Sequence, residues 1–355
     1  MPVVVGSAFR SCYGLDTIYF NAVNTYDLSE KSSPFFYAGD QNGGSKVIIG
    51  AQVTRIPAYL FRGSYISSLE FENGSACTEI GSYAFAASKN MTEIEIGEAV
   101  TYMAPDAFTS CKAVEKIYFN AVNLVNDTNK GCFSNDLGST SGNIEIVVGP
   151  LAEHIPAYLC YDIDEYVAKV TFAKGSVCQS IGQYAFYNLT ISDIELPNNL
   201  VSIGQYAFEN CSAITEIVIP KSVRAIGEYA FSGCTSLGSV TVYDGLEELG
   251  VDIFSGSPIE YKEYSGAYYL GSAENPYACL VSAVSTSITS CEIHKDTKVI
   301  FPYAFSNCSS IKDIVIPDGV TSIGAYAFNK CFTLANVTLG SGITAIPRGM
   351  FSECD

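Results

Sequence analysis

Residues 203–220 read I-G-Q-Y-A-F-E-N-C-S-A-I-T-E-I-V-I-P, and the reading of the whole chain rests on them. The pattern returns at once from Ile226 as I-G-E-Y-A-F-S-G-C-T-S-L-G-S-V-T-V, and again from Ile323 as I-G-A-Y-A-F-N-K-C-F-T-L-A-N-V-T-L. The Phe of each A-F pair sets the period. Phe186, Phe208, Phe231 and Phe254 are 22, 23 and 23 residues apart, and Phe305, Phe328 and Phe351 are 23 apart. A fixed period in this range is the signature of a solenoid, in which each unit buries its apolar edge only by stacking on its neighbours.

One period can be read as one coil. Ile217 and Ile219 alternate with Val218, a spacing of two that gives a short strand with one face inward. Pro220 ends that strand, and Lys221 and Ser222 turn the chain. Val223 and Ile226 face inward again, and Gly227 permits a bend. Tyr229, Ala230 and Phe231 then form a tight turn, expected to be 3-10 in character, on the far side. Cys234 packs as the chain returns to the next strand.

Placing every coil this way predicts strands near 18–20, 47–49, 69–71, 94–96, 117–119, 146–148, 170–172, 194–196, 217–219, 240–242, 291–293, 314–316 and 337–339, with a further one near 259–261. About fourteen coils at a strand spacing of about 4.8 Å give a parallel sheet roughly 60 Å long, on the concave side of a right-handed superhelix. The expectation is a single solenoid domain over 1–355. Its parts are irregular coils at 1–180, regular 23-residue coils at 181–257, an insert at 258–290 and regular coils at 291–355.

The irregular part carries a longer period. I-Y-F-N-A-V-N at Ile18 recurs at Ile117, and I-P-A-Y-L at Ile56 recurs at Ile155, both 99 residues on, so a block of four coils is duplicated. The polar stretches 27–44 and 126–142 read as surface loops between coils. The insert lengthens Phe254–Phe305 to 51 residues. Within it, 268–281 reads as two strands around a turn, a hairpin beside the solenoid edge.

Composition narrows the function. Of 355 residues 48% are hydrophobic and 16% charged, which excludes a disordered chain. The net charge of −18 repels phosphate backbones and anionic membrane surfaces, so nucleic acid is not expected as a partner. No apolar run is long enough for membrane insertion. Residues 1–6 lack the pattern of a secretion signal, and repeat-like sequence already starts at Val5. The chain also stops just after an A-F-like beat, and so reads as a fragment of a longer protein.

Seven of the 13 cysteines (Cys12, Cys111, Cys211, Cys234, Cys308, Cys331 and Cys354) fall three residues after the beat Phe, a packing position once per coil. No C-x-x-C spacing suggests zinc, so no metal is expected. Cys279 and Cys291, in the irregular segment, could instead bridge locally. The two histidines, His154 and His294, lie 140 residues apart, His154 in an expected turn. With no G-x-S-x-G and no phosphate-binding G-x-x-x-x-G-K, neither a catalytic site nor a cofactor is expected.

The pattern I-G-x-Y-A-F-x-x-C-x-x-L-x-x-I-x-I-P closely resembles the BspA-like leucine-rich repeat, also called the Treponema pallidum type. The resemblance runs over essentially the whole chain and is weakest before Ile181, where A-Y-L replaces the A-F beat at Leu60 and Leu159. It implies a bacterial cell-surface or secreted protein that contacts host proteins or other microbes.

The candidate surface is the outward side of the strands. Tyr19, Glu70, Glu95, Tyr118 and Glu195 stand between the inward pairs, and Glu93, Glu145, Asp193 and Glu216 stand two residues before that row. Two readings remain open: ordinary solvated strand residues, or a docking face that prefers a basic protein. Adjacent carboxylates would suit Ca²⁺, but no D-x-D-x-D-G loop is present. Tyr264, Tyr268 and Tyr269 of the insert are the second candidate contact. The expected function is a non-catalytic adhesion or interaction module. A structural spacer and a glycan-binding module are the alternatives.

Overall fold

The computed structural model describes residues 7–41, 43–126 and 130–354. Tight turns join short strands, and almost no helix is present. The architecture is a parallel β-solenoid of about 13 turns. Residues 1–197 and 198–355 form two compact units. The expected start of the repeat at Val5 lies outside the described residues.

In the first unit the long strands build one seven-stranded parallel sheet: Thr17–Phe20, Ser45–Ile49, Ile66–Phe71, Glu93–Ile96, Lys116–Phe119, Ile144–Val148 and Val167–Phe172. All seven predicted strands up to 172 are present. The inward residues of each are buried, as the alternation requires: Val47, Ile49, Ile94, Ile96, Ile117 and Phe119 are fully enclosed. The strand expected at 194–196 does not form; Leu196 is buried, but the backbone there is irregular.

In the second unit the corresponding strands are Glu216–Val218, Ser239–Thr241, Asp313–Val315 and Asn336–Thr338, paired two by two. No strand forms at 259–261 or 291–293. Many coils also carry a second, two-residue strand that the periodicity did not reveal, ending on an inward apolar residue that Gly follows in most of the regular coils. Ala225–Ile226 pairs with Glu248–Leu249, and Val299–Ile300 with Ser322–Ile323. Two residues are too short for an alternation to register, so sequence showed only the inward Ile.

The A-F segments are turns and not 3-10 helices. Only Glu30–Ser32 and Asp164–Tyr166 are 3-10 among the described residues. In the Y-A-F turns the Tyr and the residue four later have positive φ: 57° and 60° at Tyr206 and Asn210, 58° and 58° at Tyr326 and Lys330. A left-handed residue breaks the repeating geometry of any right-handed helix.

Stacked rings run through the turns. Phe61–Phe85 and Phe85–Phe108 lie 5.2 Å apart in the first unit, and Phe208–Phe231 and Phe305–Phe328 lie 5.1 and 5.2 Å apart in the second. The coil-to-coil step of about 4.8 Å set by strand pairing is also a good separation for offset aromatic rings. The cysteines fill the next slot. Cys111, Cys234, Cys331 and Cys354 each donate Sγ–H to the carbonyl of the Phe one coil back, at 3.1–3.2 Å. Cys12 departs from this pattern and is exposed.

The stretches 27–44 and 126–142 are not external loops. Phe35 and Ala38 are buried, Phe35 stacks on Phe9 and packs at a tilt on Phe61, and Phe133 and Leu137 are buried, Phe133 against Phe108. Each stretch carries its own apolar beat behind the polar residues. Asn42 and residues 127–129 lie outside the described residues.

The insert is a three-stranded meander, Lys262–Tyr264, Ala267–Leu270 and Cys279–Ala283, antiparallel as expected for the hairpin at 268–281 and preceded by a strand that was not expected. It does not sit beside the edge. Cys279–Ala283 pairs in parallel with Val299–Ile300 and so enters the sheet of short strands. Cys279 and Cys291 are both free.

Candidate functional site

The seven-stranded sheet presents the two outward rows in register. Thr17, Lys46, Ser68, Glu93, Lys116, Glu145 and Lys169 follow one another across it, each opposite the next. In the neighbouring row Tyr19, Ile48 and Glu70 are aligned, as are Glu95, Tyr118, Val147 and Thr171. Parallel pairing at a spacing of about 4.8 Å brings like positions of successive coils within side-chain reach.

That proximity changes the charge of the face. Glu145 lies between two lysines, 3.1 Å from Lys116 Nζ and 3.2 Å from Lys169 Nζ. The hydrogen bond from Lys116, reinforced by that from Lys169, holds the Glu145 carboxyl below its ordinary range. Lys46 pairs with Glu70 at 2.5 Å. Glu95 accepts from the backbone N–H of Phe71 at 3.0 Å and from Asn120 Nδ2 at 2.8 Å, so it ties three coils together. Of the acids expected on this face, Glu70 and Glu145 are neutralised locally and Glu95 is structural. Glu93 is exposed, and Asp193 and Glu195 are exposed on the irregular segment that replaces the next strand.

Tyr19 is the most open aromatic of the face, at 66% exposure. Tyr118 is half-buried, with Lys116 Nζ 5.1 Å from its ring centre. Glu216, in the second unit, is exposed on its strand.

The insert divides its tyrosines differently. Tyr264 and Tyr268 are half-buried. Tyr269 is wholly buried, and its hydroxyl accepts from the backbone N–H of His294 at 3.3 Å, so it belongs to the core and not to a contact surface. His294 stacks on Tyr277 with centroids 3.9 Å apart, also a packing role. His154 sits in the His154–Ile155 strand and not in a turn, with Nδ1 2.8 Å from Ser180 Oγ.

Two surfaces escaped the sequence reading. On the turn side of the first unit Tyr158, Tyr161, Tyr184 and Tyr187 pack together at 5.1–5.7 Å. The Y-x-x-Y spacing in two adjacent coils was the available signal. In the second unit a groove of about 720 Å³ opens between Arg224 with residues 244–248 and residues 321–323 with 344–347. No local pattern marks it.

Among the described residues no cluster of three or more His, Cys, Asp or Glu is arranged to hold a metal, and no helix is long and apolar enough to cross a membrane.

The profile of the BspA type leucine rich repeat region matches residues 32–148, 153–270 and 283–355, in 6 copies. Similar solved structures include a leucine-rich repeat protein from Bacteroides ovatus, 21% identical over 98% of this chain and 79% of that one, with a TM-score of 0.43. Others are a leucine rich cell surface protein from Faecalibacterium prausnitzii (20% identity, 96% of this chain and 74% of that one, TM-score 0.28) and the T. pallidum leucine rich repeat protein (16%, 68% and 78%, TM-score 0.32). TM-scores this low say nothing about the site. No curated protein matches the chain. The repeated I-G-x-Y-A-F turns, the stacked Phe spine and the matched segments lead to one assignment: the chain belongs to the BspA-type leucine-rich repeat family.

Proposed function

We propose that this protein is a non-catalytic interaction module, displayed at the cell surface or secreted, that binds other proteins through the strand face of its first unit. One observation carries the reading. Seven strands hold two outward rows in fixed register, and those rows mix exposed Tyr19, Glu93 and Lys169 with half-buried Ile48, Tyr118 and Val147. Such a mixture, held rigid, suits a protein contact, because little side-chain or backbone freedom is lost on docking. Exposed Glu93, Asp193 and Glu195 give the free charge of the face an acidic sign and favour a basic partner, of which host matrix and microbial surface proteins are the candidate class.

The 13 cysteines are compatible with an oxidising compartment. Oxidation proceeds through the thiolate, and burial pushes the ladder thiols up to about 12 at Cys111, Cys234 and Cys331.

The test is capture of host extracellular and bacterial surface proteins on the purified chain, at low and high salt, with Glu93→Lys and Glu195→Lys variants alongside. These positions are exposed, so reversal leaves the fold intact. Glu95 is unsuitable because it bonds Phe71 and Asn120. Reduced capture by the variants and in salt is expected. Capture indifferent to both removes this face from the function.

A further inference from the structure

The short strands of the second unit form a ladder with a fixed rule. The Gly N–H after each strand reaches the Ile carbonyl one coil back: Gly227 to Ile203 at 2.8 Å, Gly250 to Ile226 at 2.8 Å, and, beyond the insert, Gly324 to Ile300 at 2.7 Å. The insert breaks this succession. The next short strand, Cys279–Ala283, takes Ala267–Leu270 and Val299–Ile300 as neighbours, and Glu248–Leu249 is left as the edge of its sheet. An edge strand keeps one row of backbone N–H and C=O groups turned outward.

That edge borders the 720 Å³ groove. The opposite wall comes from a coil 75 residues further on, and the two walls are tied where the Ser322 hydroxyl donates to the Glu247 carbonyl at 2.7 Å. Asp244, Glu247 and Glu248 are exposed along the groove. The one cation in the lining, Arg224, is largely committed: Nη1 donates to the carbonyls of Lys221, Val223 and Gly245 at 2.9–3.3 Å, and Nε lies 3.6 Å from Glu247. No aromatic side chain lines the groove, so a sugar ring would find no stacking platform.

We propose that this groove binds an extended, basic segment of a protein partner, added as a strand to the Glu248–Leu249 edge. The backbone of the segment pairs with the N–H and carbonyl of Leu249, the outward groups of this edge that the Ser322 bond to the Glu247 carbonyl leaves, and its Lys or Arg side chains meet Asp244, Glu247 and Glu248. Strand addition draws affinity from main-chain bonds and specificity from side chains at alternate positions. The site is separate from the strand face of the first unit and stands or falls independently of it.

The test uses three fluorescent octapeptides and the full chain, read by anisotropy. One alternates Lys or Arg with Val and Thr. The second has the same side chains but N-methylated backbone amides, and the third replaces the bases by Glu. The basic peptide is expected to bind, and N-methylation to weaken it at least tenfold because strand pairing loses its donors. The E247K/E248K variant is expected to weaken the unmethylated peptide at least tenfold, with E93K/E195K leaving it unchanged. Failure of the basic peptide to bind, equal binding of the methylated or acidic peptide, or equal loss in E93K/E195K would each overturn the proposal. The comparison of methylated and unmethylated peptides on the unmodified chain holds even if a charge-reversal variant misfolds.

Discussion

Phe231 is the most informative single position for the packing scheme. Its ring is fully buried and stacks on both neighbours, 5.1 Å from Phe208 at 4° and 5.7 Å from Phe254 at 21°. Truncation to Ala in a well-packed core costs about 3–5 kcal/mol, through lost transfer energy and the cavity left behind. Two aromatic contacts contribute about 1 kcal/mol each within that total. Phe231→Leu retains most of the volume but no ring. Its expected cost is therefore about 2 kcal/mol, against about 4 kcal/mol for Phe231→Ala. Phe351 is half-buried and, among the described residues, stacks on the single ring of Phe328, at 5.4 Å, so Phe351→Ala should cost about half as much as Phe231→Ala. Urea titration followed by circular dichroism measures all three. A Phe231→Leu variant as stable as the parent would refute the contribution of ring stacking. Equal costs at Phe231 and Phe351 would refute a spine whose strength depends on having a neighbour on each side.

Further outcomes follow from other contacts. The Cβ of a Gly227→Ala variant would lie 2.4 Å from the backbone nitrogen of Gln205, so this variant should lose about 1–3 kcal/mol in the same urea assay. In the native protein at pH 8 maleimide should label Cys12 first and the fully buried ladder cysteines Cys111, Cys234 and Cys331 only after unfolding, read by mass spectrometry; early labelling of Cys111 or Cys234 would contradict their burial. Thiols at about 12 in the folded chain, against 9.0 ordinarily, leave stability intact below pH 9 and erode it as pH rises from there, because the unfolded chain releases its protons first. A pH series of urea midpoints that is flat between 8 and about 11 would oppose this. Glu145→Gln should cost no more than about 1 kcal/mol, since its lysine partners are solvated, and the cost should shrink in salt. Because the Glu145 carboxyl is held low, its contribution is present at neutral pH and disappears as pH falls through the acid range.

The strand face shows how far a one-dimensional reading reaches. Alternation placed Glu70, Glu93, Glu95, Tyr118 and Glu145 outward, and they are outward. Their charge state was another matter. Lys46, Lys116 and Lys169 were visible in the same row on neighbouring coils, but the repeat does not set the side-chain rotamers or the diagonal reach between paired strands, so the pairing that neutralises Glu70 and Glu145 was hidden. The bond from Asn120 to Glu95 was hidden for the same reason. Tyr269 shows the opposite limit. In a run of neighbouring tyrosines nothing local distinguishes the buried ring from the half-exposed Tyr268 beside it. The side of each strand that faces inward is decided by the sheet that receives it.

By itself the sequence determined the coil. The Phe period, the Cys slot and the inward Ile pairs are all contacts between one coil and the next, and a rule of nearest neighbours is written out in full by a repeat. Tertiary structure alone decided what happens where the rule is broken. The insert at 258–290 takes a strand away from Glu248–Leu249 and brings Ser322 to Glu247 across 75 residues. Neither event follows from local pattern, because each depends on where the backbone goes after the period is lost, and that is settled by packing between segments far apart in the chain.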